Sequence, residues 1–239
     1  MKRHVSLVLI PIDDYTNQVI NGNYLKPWIE WENEAIWKQG FYIFMDMKQE
    51  EVILHVESQL YQSQTIALKL NVKETRIIKL RLVPSEKYAK GNACIAISGK
   101  AKEGSKILFY SDEIRQSYKL LKDYEPGNPI GIFHPEAMDL SGKKIWIKGR
   151  DKSYPATLGE RLEEEENCYE IEALSEKIRK VEADIFLAYE ATVRENGTFY
   201  LLFPAGKEKE FHGIMKYGET SQQILLKAEE DNFFDLGNC

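Results

Sequence analysis

Phe41–Phe44 reads Phe-Tyr-Ile-Phe, and 158 residues further along the chain Phe199–Leu202 reads Phe-Tyr-Leu-Leu. The same ungapped shift aligns Ser63–Leu68, Ser-Gln-Thr-Ile-Ala-Leu, with Ser221–Leu226, Ser-Gln-Gln-Ile-Leu-Leu. Similarity at a fixed shift is the sequence signature of a duplicated unit. The alternative is chance similarity between two strand-rich stretches, because the composition of strands is narrow.

Glycine turns precede both aligned stretches, and short strand candidates follow them. Gly40 stands before the first copy, and Asn196-Gly197, a dipeptide that favours tight hairpin turns, stands before the second. Strand candidates follow the first turn at intervals of roughly 8 to 12 residues, a spacing typical of β-sandwiches and barrels. We therefore expect an all-β protein built from two β-sandwich domains of the immunoglobulin-like type.

Turn-rich sequence near Pro84 indicates where one domain ends and the next begins. We predict a first β-sandwich over residues 1–84 and a second over residues 93–229, with a repeat core at about 183–228. The second domain would also contain a long β-rich insertion. Within that insertion, the like-charge run Glu163–Glu166 is typical of a solvated loop. A chain of 239 residues is long enough for two such domains.

Composition narrows the class of partner and the cellular compartment. The chain has 38 acidic and 32 basic residues, a net charge of −6, so we expect neither a nucleic acid nor a membrane as partner. Its three cysteines, Cys94, Cys168 and Cys239, are odd in number and widely spaced, which favours a reducing cytoplasm over a disulfide framework. The apolar run Val5–Ile10 stops at Pro11 and is too short for a signal peptide or a membrane span.

Two segments resemble a known β-module. Gly40–Asp46, followed by Val52–Val56 and Tyr61, resembles the carboxypeptidase regulatory-like module, a small prealbumin-type β-sandwich. Ala191–Pro204, in which a threonine-bearing strand turns at a glycine and enters a Phe-rich strand, is similar to the same pattern. The resemblance implies an accessory or assembly protein, of the kind found with phage-tail-like contractile particles or secretion-type assemblies.

The sequence contains no residue set that predicts a reaction. His134, Glu136 and Asp139 could contribute to a metal site in a loop, but Zn²⁺ needs three or four ligands in tetrahedral geometry, so a turn is favoured. His55 and Glu57 would share one strand face, a spacing more typical of a hydrogen bond than of a general base. We therefore expect a non-catalytic protein without a cofactor or a metal.

Aromatic residues provide the candidate partner-binding site. Tyr24, Trp28, Trp31 and Trp37 fall close together in the sequence and could anchor another protein, which would also dock through exposed strand edges. The alternative partner is a glycan stacked on the tryptophan rings, which would make the protein a carbohydrate-binding module. A structural interpretation competes with both, because the same rings could fill or cover a sandwich core. Trp28 and Trp31 should point to opposite faces of a strand.

Overall fold

The computed structural model describes residues 3–21, 24–30, 34–89, 94–114, 118–133, 139–150, 152–162, 165, 167–172, 174–204, 209–228 and 230–237. Within these residues the protein contains nineteen strands, one 3-10 turn at Lys180–Glu182 and no α-helix, so the all-β prediction is confirmed. No helix in the described part of the chain is long and apolar enough to cross a membrane. The chain divides into two compact units, Met1–Gly91 (unit 1) and Asn92–Cys239 (unit 2).

Unit 1 consists of two sheets that share one core. Its strands are β1 (Val5–Asp13), β2 (Leu25–Ile29), β3 (Ile36–Lys38), β4 (Phe41–Met45), β5 (Glu51–Ser58), β6 (Gln64–Lys69) and β7 (Arg76–Leu82). One sheet has the order β3-β4-β1-β7 and the other β2-β5-β6. Because side chains alternate along a strand, every second residue points inward, and Leu9, Phe44, Leu54 and Leu82 from both sheets pack in one cluster.

Unit 2 is larger. Its strands are β8 (Cys94–Lys100), β9 (Lys106–Tyr110), β10 (Tyr118–Leu120), β11 (Ile130–Phe133), β12 (Lys144–Lys148), β13 (Ser153–Arg161), β14 (Cys168–Ile171), β15 (Asp184–Thr192), β16 (Thr198–Pro204), β17 (Glu210–Tyr217), β18 (Thr220–Lys227) and β19 (Asn232–Asp235). Residues 163, 164 and 166 of the predicted acidic loop lie outside the described residues.

The two units share a strand topology. In unit 1, β1 pairs antiparallel with β4 and parallel with β7, and in unit 2, β8 pairs antiparallel with β16 and parallel with β19. The antiparallel order β2-β5-β6 has its counterpart in β9-β17-β18. The segments aligned by the 158-residue shift lie in β4 and β16 and in β6 and β18. Corresponding segments of the sequence therefore occupy corresponding strands.

A closed six-stranded barrel is inserted into unit 2 between β9 and β16. Its strands follow the antiparallel order β10-β11-β14-β13-β12-β15, and β15 pairs back with β10. Ile132, Ile145, Leu158 and Tyr169 fill the interior and are fully buried. The first half of β15 pairs with β12 and the second half with β9, so one strand belongs to both the barrel and the adjoining sheet. The sequence predicted a β-rich insertion but not its closure.

Candidate functional site

The predicted aromatic residues do not lie on one sheet. Trp28 is on β2 and Trp37 is on β3, and these strands belong to different sheets of unit 1. Tyr24 and Trp37 are exposed, with 58% and 45% of their surface accessible, whereas Trp28 is half-buried. Trp31 lies outside the described residues. Trp37 stands opposite the buried Tyr42, so its ring is on the inward-facing side at the sheet edge.

Trp28 is held by its neighbours on the outer face of the three-stranded sheet. Its ring stacks on His55 with centroids 4.0 Å apart and planes 14° from parallel. The indole Nε1 donates a hydrogen bond to Glu57 Oε1 at 3.1 Å, and His55 Nδ1 lies 3.2 Å from Thr65 Oγ1. His55 and Glu57 therefore interact with the adjacent strands rather than with each other. One face of the Trp28 ring is covered by His55.

The outer face of the four-stranded sheet presents a line of aliphatic side chains. Ile36, Ile43, Val8 and Ile77 are directly registered neighbours across β3, β4, β1 and β7, and we call them the apolar row. Ile36 is 47% and Ile77 is 58% exposed, and the two central residues are half-buried. The row is a continuous exposed apolar surface that spans the sheet.

A second line of side chains on this face has basic ends. Lys38 and Phe41 are opposite each other on β3 and β4, and Ile10 is registered with Lys79 across β1 and β7. Each of these residues lies two positions from a member of the apolar row and so points to the same face. The face therefore combines an apolar centre with a lysine at each side.

The sequence of β1 carried a signal for this surface. Val5–Ile12 is apolar except for Ser6, a pattern typical of a strand covered on both faces. The structure buries Leu7 and Leu9 completely on the inner face but leaves Val8 and Ile10 partly exposed on the outer face. The sequence pattern predicts that both faces of β1 are buried, but the outer face is open to solvent.

A polar cluster lies at the end of β1 in unit 1. Asp13 is 6% exposed, and its Oδ2 accepts hydrogen bonds from the hydroxyls of Tyr61 at 3.0 Å and Tyr88 at 2.5 Å. Its Oδ1 accepts from the backbone N–H groups of Tyr15 at 2.8 Å and Thr16 at 3.0 Å. All four donors converge on one carboxylate, which joins three segments of unit 1. The arrangement is structural, because both carboxylate oxygens are occupied by donors of the chain itself.

The two tyrosines in this cluster predict an alkaline limit to stability. Desolvation, followed by the charge and hydrogen bond of Asp13, raises the pKa of both Tyr61 and Tyr88. The unfolded chain loses these protons near pH ~10, whereas the folded chain keeps them. The contribution of the two tyrosines to the free energy of unfolding is therefore complete below about pH 10. Above that pH it declines by about 1.4 kcal/mol per pH unit for each tyrosine.

Urea unfolding at a series of alkaline pH values tests this prediction. The Tyr61→Phe and Tyr88→Phe double variant should show a shallower decline of unfolding free energy with pH than the wild type. Tyr24→Phe is the matched control, because it removes one hydroxyl from an exposed tyrosine outside this cluster. An unchanged slope in the double variant would assign the alkaline limit to other groups.

Two surface cavities lie on the outer side of the unit 2 sheet. One, of about 480 Å³, is lined by Tyr110, Trp146, Lys148 and His212 among others. The other, of about 730 Å³, is lined by lysine and glutamate side chains that include Lys144. Trp146 is nearly buried, because its ring lies 4.1 Å from Tyr110 and is also packed against Phe186. Its burial leaves little ring surface for stacking on a ligand.

Several ionisable groups around both cavities are paired within the chain. In the smaller cavity, His212 Nδ1 lies 3.3 Å from Glu113 Oε1, and Lys148 pairs with Asp112. In the larger cavity, Glu190 is paired with Lys106 at 3.4 Å and with Lys144 at 3.1 Å. These pairs connect neighbouring strands and loops of unit 2, so a charged ligand would have to compete with them.

The arrangement around His212 does not assemble a nucleophile. Ser111 Oγ donates to the backbone carbonyl of His212 at 2.5 Å, so this hydroxyl is not directed at the imidazole ring. Among the residues the structure describes, no three or more His, Cys, Asp or Glu side chains converge as a metal site. His134 and Glu136 of the predicted metal alternative lie outside that part of the chain, and Asp139 accepts hydrogen bonds from Ser141.

Comparisons with known proteins assign no family to the chain. No protein-family model matches it, and neither the curated proteins nor the solved structures contain a match.

Proposed function

We propose that this protein is a non-catalytic assembly component that binds another protein chain on the outer face of the four-stranded sheet in unit 1. The observation that supports this function is the apolar row, whose end members Ile36 and Ile77 are about half exposed. Contiguous exposed apolar surface with a polar rim is typical of protein interaction sites. The half-covered apolar run of β1 supports the same proposal.

Covering the apolar row with a partner would contribute appreciably to the free energy of binding. Full burial of an isoleucine side chain contributes roughly 1.5–3 kcal/mol, so covering the exposed halves of Ile36 and Ile77 would contribute about 1 kcal/mol each. The half-buried Val8 and Ile43 would add to this as their remaining surface is covered. A well-packed interface concentrates its binding energy in such a central apolar patch, surrounded by polar contacts.

The charges beside the row indicate the chemistry of the partner. Lys38 and Lys79 stand at opposite sides of the face. A partner with an apolar centre and acidic residues at its rim would match both features, because complementary charge increases association rate and specificity. We further propose that both units are β-sandwiches of one duplicated design, similar to carboxypeptidase regulatory-like modules. An accessory role in a phage-tail-like contractile particle or a secretion-type assembly is part of this proposal.

Charge substitution in the apolar row tests the proposal. Ile77→Glu and Ile36→Glu should each lower the recovery of co-purifying protein from the source cells by roughly tenfold, because a buried unpaired carboxylate is costly. The matched control is Ile53→Glu, since Ile53 is 46% exposed on the other sheet of the same unit. Circular dichroism would establish that all three variants remain folded. Equal recovery with Ile77→Glu and Ile53→Glu would contradict the proposed docking face.

Glycan binding predicts a different response to substitution, because it would depend on aromatic rings and not on the apolar row. The exposed Tyr24 and Trp37 are the aromatic residues that could stack on a sugar ring. A glycan-array signal that is abolished by Trp37→Ala and unaffected by Ile77→Glu would favour a carbohydrate-binding module over the protein-binding proposal.

A further inference from the structure

The outer edge of β18 is an open strand edge in unit 2. β18 lies at the end of the sheet order and pairs with β17 over eight consecutive residue pairs without a register shift. Within the residues described, no other strand pairs with it. An eight-residue strand is about 26 Å long, which is sufficient to template a further strand.

Hydrogen bonds at both sides of the hairpin show which backbone groups face outward. On β17, the N–H of His212 donates to Glu113 Oε2 and its carbonyl accepts from Ser111, so His212 faces away from β18. On β18, the N–H of Lys227 donates to Asn232 Oδ1 and its carbonyl accepts from Asn232 Nδ2, so Lys227 faces the outer edge. Because direction alternates along a strand, Ser221, Gln223 and Leu225 also direct their N–H and C=O groups outward.

Asn232 covers the Lys227 end of this edge, and the rest of the edge lacks the features that protect other edges. Residues 220–226 contain no proline and no charged side chain. By contrast, the corresponding strand β6 in unit 1 is tied to β7, since Arg76 donates to the Lys69 carbonyl and Gln64 Nε2 donates to the Arg81 carbonyl at 2.8 Å. Natural edge strands are usually blocked by charges, prolines, bulges or such coverage.

We propose that β18 pairs antiparallel with β18 of a second copy of this chain, which joins the two sheets across a two-fold axis at Gln223. In this register, Gln223 pairs with its own counterpart and Ser221 pairs with the partner copy's residue 225. All three outward-facing positions are then matched, which allows about six backbone hydrogen bonds between the copies. The interface is isologous, as in most closed dimers.

The absence of charge along this edge supports a second copy as the occupant. The outward-facing positions 221, 223 and 225 carry no charged side chain, so two identical strands meet there without like-charge repulsion, although the chain as a whole has a net charge of −6. The ladder between the copies ends before Lys227, whose backbone is bonded to Asn232 and whose Nζ is paired with Glu230 at 3.0 Å and Glu210 at 3.8 Å. A one-residue slip would direct outward groups of one copy against groups already used by β17 in the other.

Sedimentation equilibrium of the full chain across a concentration series tests the dimer and its register. The wild type should dimerise. Gln223→Pro removes an outward N–H without affecting the β17 pairing and should weaken the dimer by roughly a hundredfold, whereas Gln223→Ala keeps the N–H and should retain it. Ile77→Glu should leave dimerisation unchanged, which separates this interface from the docking face in unit 1. A wild type that stays monomeric throughout, or a dimer unaffected by Gln223→Pro, would overturn the proposal.

A charge test at the two-fold axis checks the register independently and also decides the question if Gln223→Pro does not fold. Gln223→Lys and Gln223→Glu should each weaken the dimer by roughly tenfold, because each variant places like charges opposite one another at the axis. An equimolar mixture of the two variants should recover dimerisation, because opposite charges then meet at the axis. Failure of the mixture to recover would contradict pairing centred on Gln223.

Discussion

Replacing Asp13 with alanine should lower the free energy of unfolding of unit 1 by about 4 kcal/mol. The substitution removes the acceptor of two tyrosine hydroxyls and two backbone N–H groups at once. Since Asp13 and Tyr61 are buried, water cannot readily replace the lost acceptor. The loss should be larger than for a typical surface carboxylate because several donors are left unsatisfied together.

Urea unfolding combined with amide hydrogen exchange would measure this effect. Exchange resolved by peptide separates unit 1 from unit 2, which matters because two units need not unfold in one step. Glu57→Ala is the control in the same unit: Glu57 is exposed and accepts a hydrogen bond from Trp28 Nε1 at 3.1 Å, so its removal should cost about 0.5 kcal/mol. Similar losses for Asp13→Ala and Glu57→Ala would show that the buried cluster does not stabilise unit 1 as argued.

Gly99→Ala should destabilise unit 2 by about 3 kcal/mol. Gly99 lies on β8 between Phe199 of β16 and Phe234 of β19. A Cβ atom there would lie 2.6 Å from the Phe199 ring and closer still to the carbonyl oxygen of Phe234. The ring could rotate, but a backbone oxygen in a paired strand cannot move without displacing β19.

Hydrogen exchange in β19 provides the specific measurement. Gly99→Ala should remove the protection of residues 232–235 more than that of β17 and β18. Gly104→Ala is the control, since a Cβ at Gly104 meets nothing within 4 Å, and its positive φ of 73° should cost only about 1 kcal/mol. Retained protection of β19 in Gly99→Ala would show that β8 accommodates the methyl group by local adjustment.

Local patterns were sufficient to predict the strand class and the turns. Leu80 and Leu82 alternate with Lys79 and Arg81 along β7, and the structure buries both leucine side chains. Gly40 and Gly197 were predicted to lie in turns, and both adopt positive φ angles, of 87° and 74°. Such features depend on residues a few positions apart, so the sequence pattern alone indicates them.

The predicted aromatic binding site stays a prediction, and the structure shows only where its residues lie. Tyr24, Trp28 and Trp37 were selected because aromatic residues are common at interfaces, yet Trp28 stacks on His55 and Trp37 lies on a different sheet. The apolar row was not predicted, because its members come from four strands and become neighbours only through strand register. The apolar run of β1 was the single signal for it in the sequence.

The sequence by itself determined that this chain forms strands, where several of them turn, and that two of its segments resemble one another. Only the tertiary structure decided that Tyr118 pairs with Ile185 to close the barrel, that β1 and β7 run parallel, and which face of β1 stays open. The physical reason is that strand periodicity specifies which side chains point inward. It does not specify which distant strand supplies the hydrogen bonds, because that choice depends on the packing of the whole core.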